Sequence, residues 1–398
     1  MSSMTKEQIW SLARSVYAYG VQARRHLHMN PELSFEEHGT HRFLADRLTE
    51  LGVPFQSGLG GGTGIKAVLE GGLPGPTVAL RADIDALPIT EETGLEFASQ
   101  RPGVMHACGH DTHTAILLAS VKALQEIQPS LPGRVVFLFQ PGEEKNPGGA
   151  SLMIQDGCLE NPKVDAIFGL HVMPFMEAGT MGFGAGPLMA SPDEVEVTVV
   201  GKGGHGASPH LTVDPVLATC QIITLLQQVV ARNVSPFQSA VITVGVIQGG
   251  TAPNVIPDEV HFKATVRTMD PEVRKLMPAR IEAVVKGVCD AAGATYRFHY
   301  DPGYPVLIND PAMTEVGRQA ALAVLPSEKV GPMPPSMGGE DFAYYLEKVP
   351  GTFARLGSMI PGATNPYGLH TSKLMIDEEA IAVGVAYYIS VVQQFLGR

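Results

Sequence analysis

The sequence predicts an α/β protein: a mainly parallel sheet flanked by helices, with a smaller βαββαβ domain inserted into it. Three observations carry that expectation. Apolar strands at Thr77 to Ala82, Arg134 to Gln140 and Ala166 to Leu170 alternate with helical stretches, the pattern of a parallel sheet. Around Pro187 to Pro192 the text changes to alternating strands and amphipathic helices, and the earlier pattern resumes after Pro305. At 398 residues the chain is also too long for one ordinary core.

Element by element, Glu7 to His28 has helical periodicity through Ile9, Leu12, Val16 and Tyr19, with Pro31 ending the run, and a second helix spans Thr40 to Leu51. His26, His28, His38 and His41 lie on or between these helices with no carboxylate at ligand spacing, so surface or capping roles are expected. The glycine-rich stretch Gly58 to Gly64 is followed by I-K-A-V-L-E, which alternates like a strand and opens no helix, so a phosphate cradle is not expected. The inserted region reads as strand Asp193 to Val200, helix Val213 to Ala231, strands Ala240 to Gly249 and Val260 to Thr268, helix Pro271 to Ala292 and strand Ala294 to Tyr300. That order is the split ferredoxin-like unit. The expected division is 189–303 for the insert and 1–188 with 304–398 for a discontinuous larger domain, which helix Met313 to Leu325, strand Thr352 to Leu356 and helix Glu378 to Leu396 complete.

Composition narrows the class. A net charge of −12 argues against nucleic acid as a partner, and 44 glycines with 31 prolines spread along the chain fit a turn-rich folded protein. The cysteines Cys108, Cys158, Cys220 and Cys289 lie far apart and form no short paired framework. The N-terminus lacks the apolar core of a signal peptide and no run of eighteen apolar residues occurs. A cytoplasmic location is expected.

The chemistry concentrates in Met105 to Thr114, M-H-A-C-G-H-D-T-H-T. Cys108 and His110 stand two apart and can face one point, and thiolate with imidazole suits zinc or another borderline transition metal. From Thr112 onward the text is helical, with Asp111 or Thr112 as the expected cap. An isolated cysteine would read as a small buried hydrophobe. Here Asp83, the pair Glu143 and Glu144, and His171 follow three successive strands, where sites of parallel sheets collect. Of two adjacent glutamates, one can bind metal while its neighbour serves as general base. With Cys108, His110, His171 and His370 this makes five ligand candidates and a spare acid, more than one catalytic zinc uses, which points to two metals.

The blocks M-H-A-C-G-H-D-T-H-T, F-Q-P-G-E-E, G-L-H-V-M-P, G-K-G-G-H-G-A-S-P-H, P-N-V-I-P and M-G-G-E-D-F resemble the aminoacylase, hippurate hydrolase and indoleacetyl-amino-acid hydrolase group of dinuclear metal amidohydrolases, which includes some carboxypeptidases. The resemblance runs through nearly the whole chain. It implies a zinc-exopeptidase-like catalytic domain with metal ligands Cys108, His110, Glu144, His171 and His370, and Glu143 as catalytic base. It also implies two divalent ions per subunit, zinc foremost, with manganese and cobalt also suited. The insert would serve as lid and dimerisation domain of a homodimer or higher homo-oligomer. Its His205 would polarise the scissile carbonyl in a neighbouring active site, and Asn254 and Arg267 would hold the substrate carboxylate. Where the wider superfamily carries a histidine followed two residues later by an aspartate, this chain has Arg81 and Asp83. Asp83 is therefore a candidate for orienting a ligand histidine, as are Asp111, His113, Asp341 and Glu340.

The expected reaction is hydrolysis of the amide bond of a small N-acyl amino acid, without nucleic acid or membrane. A carboxypeptidase or dipeptidase using the same centre is the alternative. A silent binding protein is disfavoured by the presence of Glu143, and a metal-free enzyme using Cys108 as nucleophile with His110 would survive chelation.

Overall fold

The computed structural model describes residues 4–363 and 367–397. The chain begins with helices α1 (Lys6–Ser15), α2 (Tyr17–Met29) and α3 (His38–Glu50), then strands β1 (Phe55–Leu59), β2 (Gly64–Glu70) and β3 (Leu73–Asp83). Next come α4 (His110–Glu126), β4 (Pro132–Gln140), α5 (Gly149–Gln155), β5 (Ala166–Glu177), β6 (Met181–Phe183) and β7 (Gly186–Met189). The middle of the chain forms β8 (Ser191–Val200), β9 (Gly204–His205), α6 (Pro215–Asn233), β10 (Ala240–Gln248), β11 (Val255–Ile256), β12 (Glu259–Thr268), α7 (Pro271–Ala292) and β13 (Thr295–Asp301). After β14 (Leu307–Asn309) follow α8 (Pro311–Val324), β15 (Val330–Pro332), α9 (Ala343–Leu346), β16 (Gly351–Met359) and α10 (Glu379–Leu396). Two compact units result, Met1–Gly186 with Ile308–Pro334 and Asp341–Arg398, and Pro187–Leu307 with Pro335–Glu340.

The first unit is built on an eight-stranded sheet in the order β1-β2-β4-β3-β5-β16-β6-β15. Its centre, β4, β3, β5 and β16, is parallel, and these strands are buried on both faces. Alternation along β16 shows how: Ala354 and Leu356 enter the core beneath α10, whereas Phe353 turns the other way to lie against Phe342, ring centroids 4.9 Å apart. The chain steps from β3 to β4 on one side and then jumps back across β3 to β5. The connections that follow these two neighbouring strands therefore leave in opposite directions, the arrangement that opens a crevice at the carboxyl ends of a parallel sheet. Asp83 ends β3, the Glu143 loop follows β4, and His171 lies at the middle of β5.

Local chemistry explains the element boundaries. Thr5 and Gln8 form a reciprocal capping box at the start of α1. The single helix expected from Glu7 to His28 is two, because Val16, at φ −101° and ψ 0°, leaves helical geometry while burying its side chain. The next helix begins at His38 rather than Thr40, since the Glu32 carboxylate accepts the Gly39 and Thr40 N–H groups 3.0 and 2.8 Å away. The glycine-rich stretch Gly58 to Gly64 closes the hairpin between antiparallel β1 and β2, with residues 60–63 as its turn. Helix α10 is long and apolar enough to cross a membrane, but 83% of it is buried inside this unit, where it packs on α4, α8 and α1.

In the second unit β10-β12-β8-β13 form an antiparallel sheet, and together with α6 and α7 they run in the βαββαβ order. Ala218, Ile222 and Leu226 on α6 and Val273, Met277, Ile281 and Val285 on α7 repeat every fourth residue and cover Val195, Val197, Val199, Phe262 and Val266. Asp214 and Asp270 each accept two N–H groups of the first helical turn, with Pro215 and Pro271 as the first helical residues. The cap places the start of α6 at Pro215, later than the expected Val213.

Helices α4 and α10 approach closely because Gly384 faces Ile116; a Cβ there would sit 2.6 Å from Ile116 Cδ1 and 2.8 Å from its Cγ2. Gly384→Val is expected to destabilise the protein by about 1–3 kcal/mol through overpacking, read as a lower midpoint in urea unfolding with unchanged slope.

Candidate metal centre

Cys108 lies in the turn before α4, and His110 is the first residue of that helix. The helix starts at His110 and not at Asp111 or Thr112. Gly109, at φ +89°, is its N-cap and supplies no side chain, and a Cβ there would meet Val172 and Ile376 within 2.8 Å. A left-handed glycine lets the chain turn sharply, so that thiol and imidazole enter one buried space. His171 does not follow a strand but sits within β5, paired in register with Arg355 of β16. His370 has φ +62°, and its N–H donates to the Ala107 carbonyl at 2.7 Å, tying the C-terminal loop to the cysteine turn.

These side chains converge. Cys108 Sγ is 3.4 Å from His171 Nε2, and Glu144 Oε1 is 3.2 Å from His370 Nε2 and 4.0 Å from His110 Nε2. Donor atoms of Cys108, His110 and His171 lie within 4.8 Å of one another, as do those of Cys108, Glu144 and His370, and those of His110, Glu143 and Glu144. All are buried except Glu144, which is partly exposed, and His370, which is exposed.

Hydrogen bonds fix which ring nitrogen of each histidine offers a lone pair. His110 Nδ1 lies 3.0 Å from the Asp85 carbonyl and 3.1 Å from Asp85 Oδ1, two acceptors, so it carries the proton. Its Nε2 is then the nitrogen left open to a cation or a second proton, buried, facing Cys108 and Glu144 and, among the described residues, without a hydrogen-bond partner. An unsatisfied buried lone pair among thiol and carboxylate donors fits a divalent cation. His171 repeats the pattern, its Nδ1 donating to the Val172 carbonyl at 2.7 Å while Nε2 points to Cys108. His113 differs: Nδ1 lies 2.6 Å from Asp83 Oδ1, and Nε2 accepts the Val172 N–H at 2.9 Å, so neither nitrogen has a lone pair left for metal.

The carboxylates that serve these histidines are divided differently from the expectation. Asp85, which sequence reasoning passed over, holds His110 and also accepts the Glu144 N–H at 3.0 Å and the Ser34 hydroxyl at 2.7 Å. Asp83 is bonded to His113 and Arg81 and stands 3.6 Å from His110 Nε2. The signal that could have separated them is faint: Asp85 follows Asp83 at the same spacing as Asp83 follows Arg81. Arg81 also bonds Gln140 and Asp341, and Asp341 takes the Ala150 N–H. Glu340 is buried at the end of the segment Pro335–Glu340, grouped with the second unit.

Electrostatics follow from burial. Burial and the Glu144 carboxylate push the Cys108 thiol up. Burial opposes a charge on His110, yet Asp83 and Cys108 beside it hold its pKa well above the ordinary value. His171 is pressed well below it, by burial and then by His113 and Arg355. A divalent cation bound here would take the place of the protons on the Cys108 thiol and on His110 Nε2, so its binding would release protons.

Asp111 belongs to a second network behind α4. It accepts from Arg24 Nε at 3.1 Å and from His28 Nδ1 at 2.9 Å, and His28 Nε2 reaches Glu91 at 3.1 Å. The surface role expected for His28 is therefore corrected: it is buried, with two carboxylate partners that come from distant segments.

In the second unit, His205 on β9 pairs in register with Val255 on β11, is exposed, and accepts the Ala207 N–H at its Nδ1. Asn254 adjoins it, its carbonyl accepting the Gly206 N–H at 2.8 Å. Arg267 stands apart on β12, half-buried, its Nε donating to Thr265 Oγ1.

A mainly parallel sheet with a βαββαβ insert and a thiol, imidazole and carboxylate cluster suited to divalent metal is the architecture of a metal-dependent hydrolase. Residues 79–394 match the model of peptidase family M20/M25/M40, and the chain belongs to that family. It is 45% identical over 366 residues to the N-acetyl-L-cysteine deacetylase of Bacillus subtilis (strain 168), covering 92% of this chain and 85% of the relative. It is 36% identical to thermostable carboxypeptidase 1 of Saccharolobus solfataricus, covering 98% of this chain and 99% of that one. The crystal structure of the Bacillus subtilis YXEP protein, described as a dinuclear metal binding peptidase from the M20 family, superposes with a TM-score of 0.83 at 36% identity, covering 96% of this chain and 99% of that one.

Burial disfavours charge on His28, but the hydrogen bond and charge of Asp111, followed by Glu91, raise its pKa to about 9. A raised histidine stabilises the fold fully below about pH 6.5, and that contribution is lost as pH rises through about 9. The melting temperature of the wild type is therefore expected to fall more steeply between pH 7 and 10 than that of His28→Gln. Asp111→Asn, which leaves Arg24 and His28 facing a neutral group, is expected to cost about 3–5 kcal/mol in denaturant unfolding.

Proposed function

We propose that this chain is a metal-dependent amidohydrolase that cleaves the amide bond between an acyl group and an amino acid with a free carboxylate. What carries the reading is the convergence of Cys108, His110, Glu144, His171 and His370 with the buried Glu143 beside them. Those five residues would hold two divalent ions, zinc foremost, with manganese and cobalt also suited to mixed sulfur, nitrogen and oxygen donors. Such a pair, when bound, makes water more acidic and polarises a carbonyl oxygen.

Glu143 takes the proton of the attacking water and later delivers it to the leaving amine. Its burial, at 7% exposure, keeps bulk water from competing for that proton. Asp85 and the Val172 carbonyl hold His110 and His171 in the tautomer that presents Nε2, so no ring need rotate during turnover. His205, from a neighbouring subunit, donates a hydrogen bond to the developing oxyanion, and Asn254 and Arg267 bind the substrate carboxylate. The homodimer this requires is supported by β10, an edge strand of the second unit's sheet that exposes Val241, Val246 and Ile247. The four free cysteines suit the reducing cytoplasm.

The likeness to a carboxypeptidase supports a second reading, in which the same centre cleaves a peptidyl amino acid. A panel of N-acetyl and N-benzoyl amino acids, blocked peptides and free dipeptides decides between them: preference for acyl amino acids is expected, and efficient cleavage of peptides alone would reverse the order. Glu143→Gln is expected to keep its metal by elemental analysis while losing about 10²–10⁴-fold in kcat; a fully active variant would remove the proposed base. Thorough chelation should abolish turnover, and divalent metal should restore it.

A further inference from the structure

Glu37 is wholly buried and takes no part in the chemistry described above, yet it is bound to the loop that carries Glu143. We propose that Glu37 is a positioning residue: its carboxylate and the Phe35 ring together set the backbone of Gly142, and so the placement of Glu143. This inference rests on the proposed role of Glu143 as base.

The geometry is specific. Glu37 Oε1 accepts two backbone N–H groups, from Phe35 and from Gly142, each at 2.9 Å, and Oε2 accepts the Thr63 hydroxyl at 2.6 Å. Gly142 immediately precedes Glu143 and has φ +60°. A Cβ at Gly142 would lie 2.4 Å from Phe35 Cε1 and Cζ, so the loop lies flat on that ring where only glycine fits. Phe35 itself has φ +67°, a conformation that a bulky side chain adopts only when its surroundings hold it. The Glu37 carboxylate supplies that restraint by accepting the Phe35 N–H.

The same turn also reaches the other flank of Glu143. Ser34 donates to Asp85 Oδ2, the oxygen that accepts the Glu144 N–H, and the Glu32 carbonyl accepts the Ala86 N–H at 2.8 Å. Residues 32–37 thus pin the amide before Glu143 directly and the amide after it through Asp85. With the Gly142 and Glu144 amides both held, the backbone that carries the Glu143 side chain is restrained on each side. A general base must sit within hydrogen-bond reach of its proton, and a misplacement near 1 Å costs about 100-fold in rate.

The test uses the metal-loaded full-length enzyme with Glu37→Ala, Glu37→Asp and Glu37→Gln, and the N-acyl amino acid turned over fastest in the panel above. Glu37→Ala and Glu37→Asp are expected to lose about 10- to 100-fold in kcat, with KM and metal content held near wild type. Both should show faster deuterium uptake in the peptide spanning 138–148. Glu37→Gln is expected to keep most of kcat, because its amide oxygen can accept the same two N–H groups. Wild-type kcat in Glu37→Asp would overturn the proposal, and that variant decides if Glu37→Ala does not fold. Loss of metal in step with activity, or a Glu37→Gln variant as impaired as Glu37→Ala, would overturn it as well. Glu143→Gln run in parallel separates the two ideas. If it is active, the base assignment fails whatever Glu37 does; if it is inactive while the Glu37 variants are normal, only the present inference fails.

Discussion

The proton on His110 Nδ1 is the constraint on which the arrangement of the first unit depends. Asp85 accepts that proton, and the same carboxylate accepts the Glu144 amide and the Ser34 hydroxyl. One buried acid therefore ties the start of α4, the loop after β4 and the N-terminal turn to a single point. If the proton moved to Nε2, the lone pair would face Asp85, and two groups of like polarity would meet in a buried site. The tautomer, the helix start and the Glu144 backbone are consequently decided together.

Burial raises the stakes of each such choice. Arg81, Asp83, His113 and the Val172 amide form a chain in which each polar group meets its complement, and Arg24, Asp111, His28 and Glu91 form a second chain on the far side of the same helix. An isolated charge in the interior costs far more than a satisfied pair. The convergence of thiol, imidazole and carboxylate atoms within 4.8 Å, with His110 Nε2 left open among them, is what separates the cation-suited cluster from these structural networks. Three histidines of similar burial thus have different work: His113 orients backbone, while His110 and His171 keep a nitrogen open.

Much of this was legible in the chain. The parallel strands, the βαββαβ order and the apolar face of each long helix are periodic features, and periodicity survives without knowledge of contacts. Cys108, His110, Glu143, Glu144, His171 and His370 were also picked out together by residue type, three of them because they follow or lie in strands of the parallel sheet, and their donor atoms do lie close. What was misjudged had two causes. His28 read as a surface residue because its partners, Asp111 and Glu91, are 83 and 63 residues away. The helix break at Val16 went unseen because the apolar pattern continues across it.

Residue type and spacing by themselves determined the fold class, the donor chemistry of thiolate, imidazole and carboxylate, and the kind of ion that such donors suit. These properties are local, carried by each side chain and its near neighbours. Only the tertiary structure decided that Asp85 rather than Asp83 serves His110, that His113 is fully occupied, and that Glu37 grips the amide beside Glu143. A hydrogen bond forms only within about 3 Å and within a narrow range of angles. The folded backbone alone selects which of several similar carboxylates comes that close.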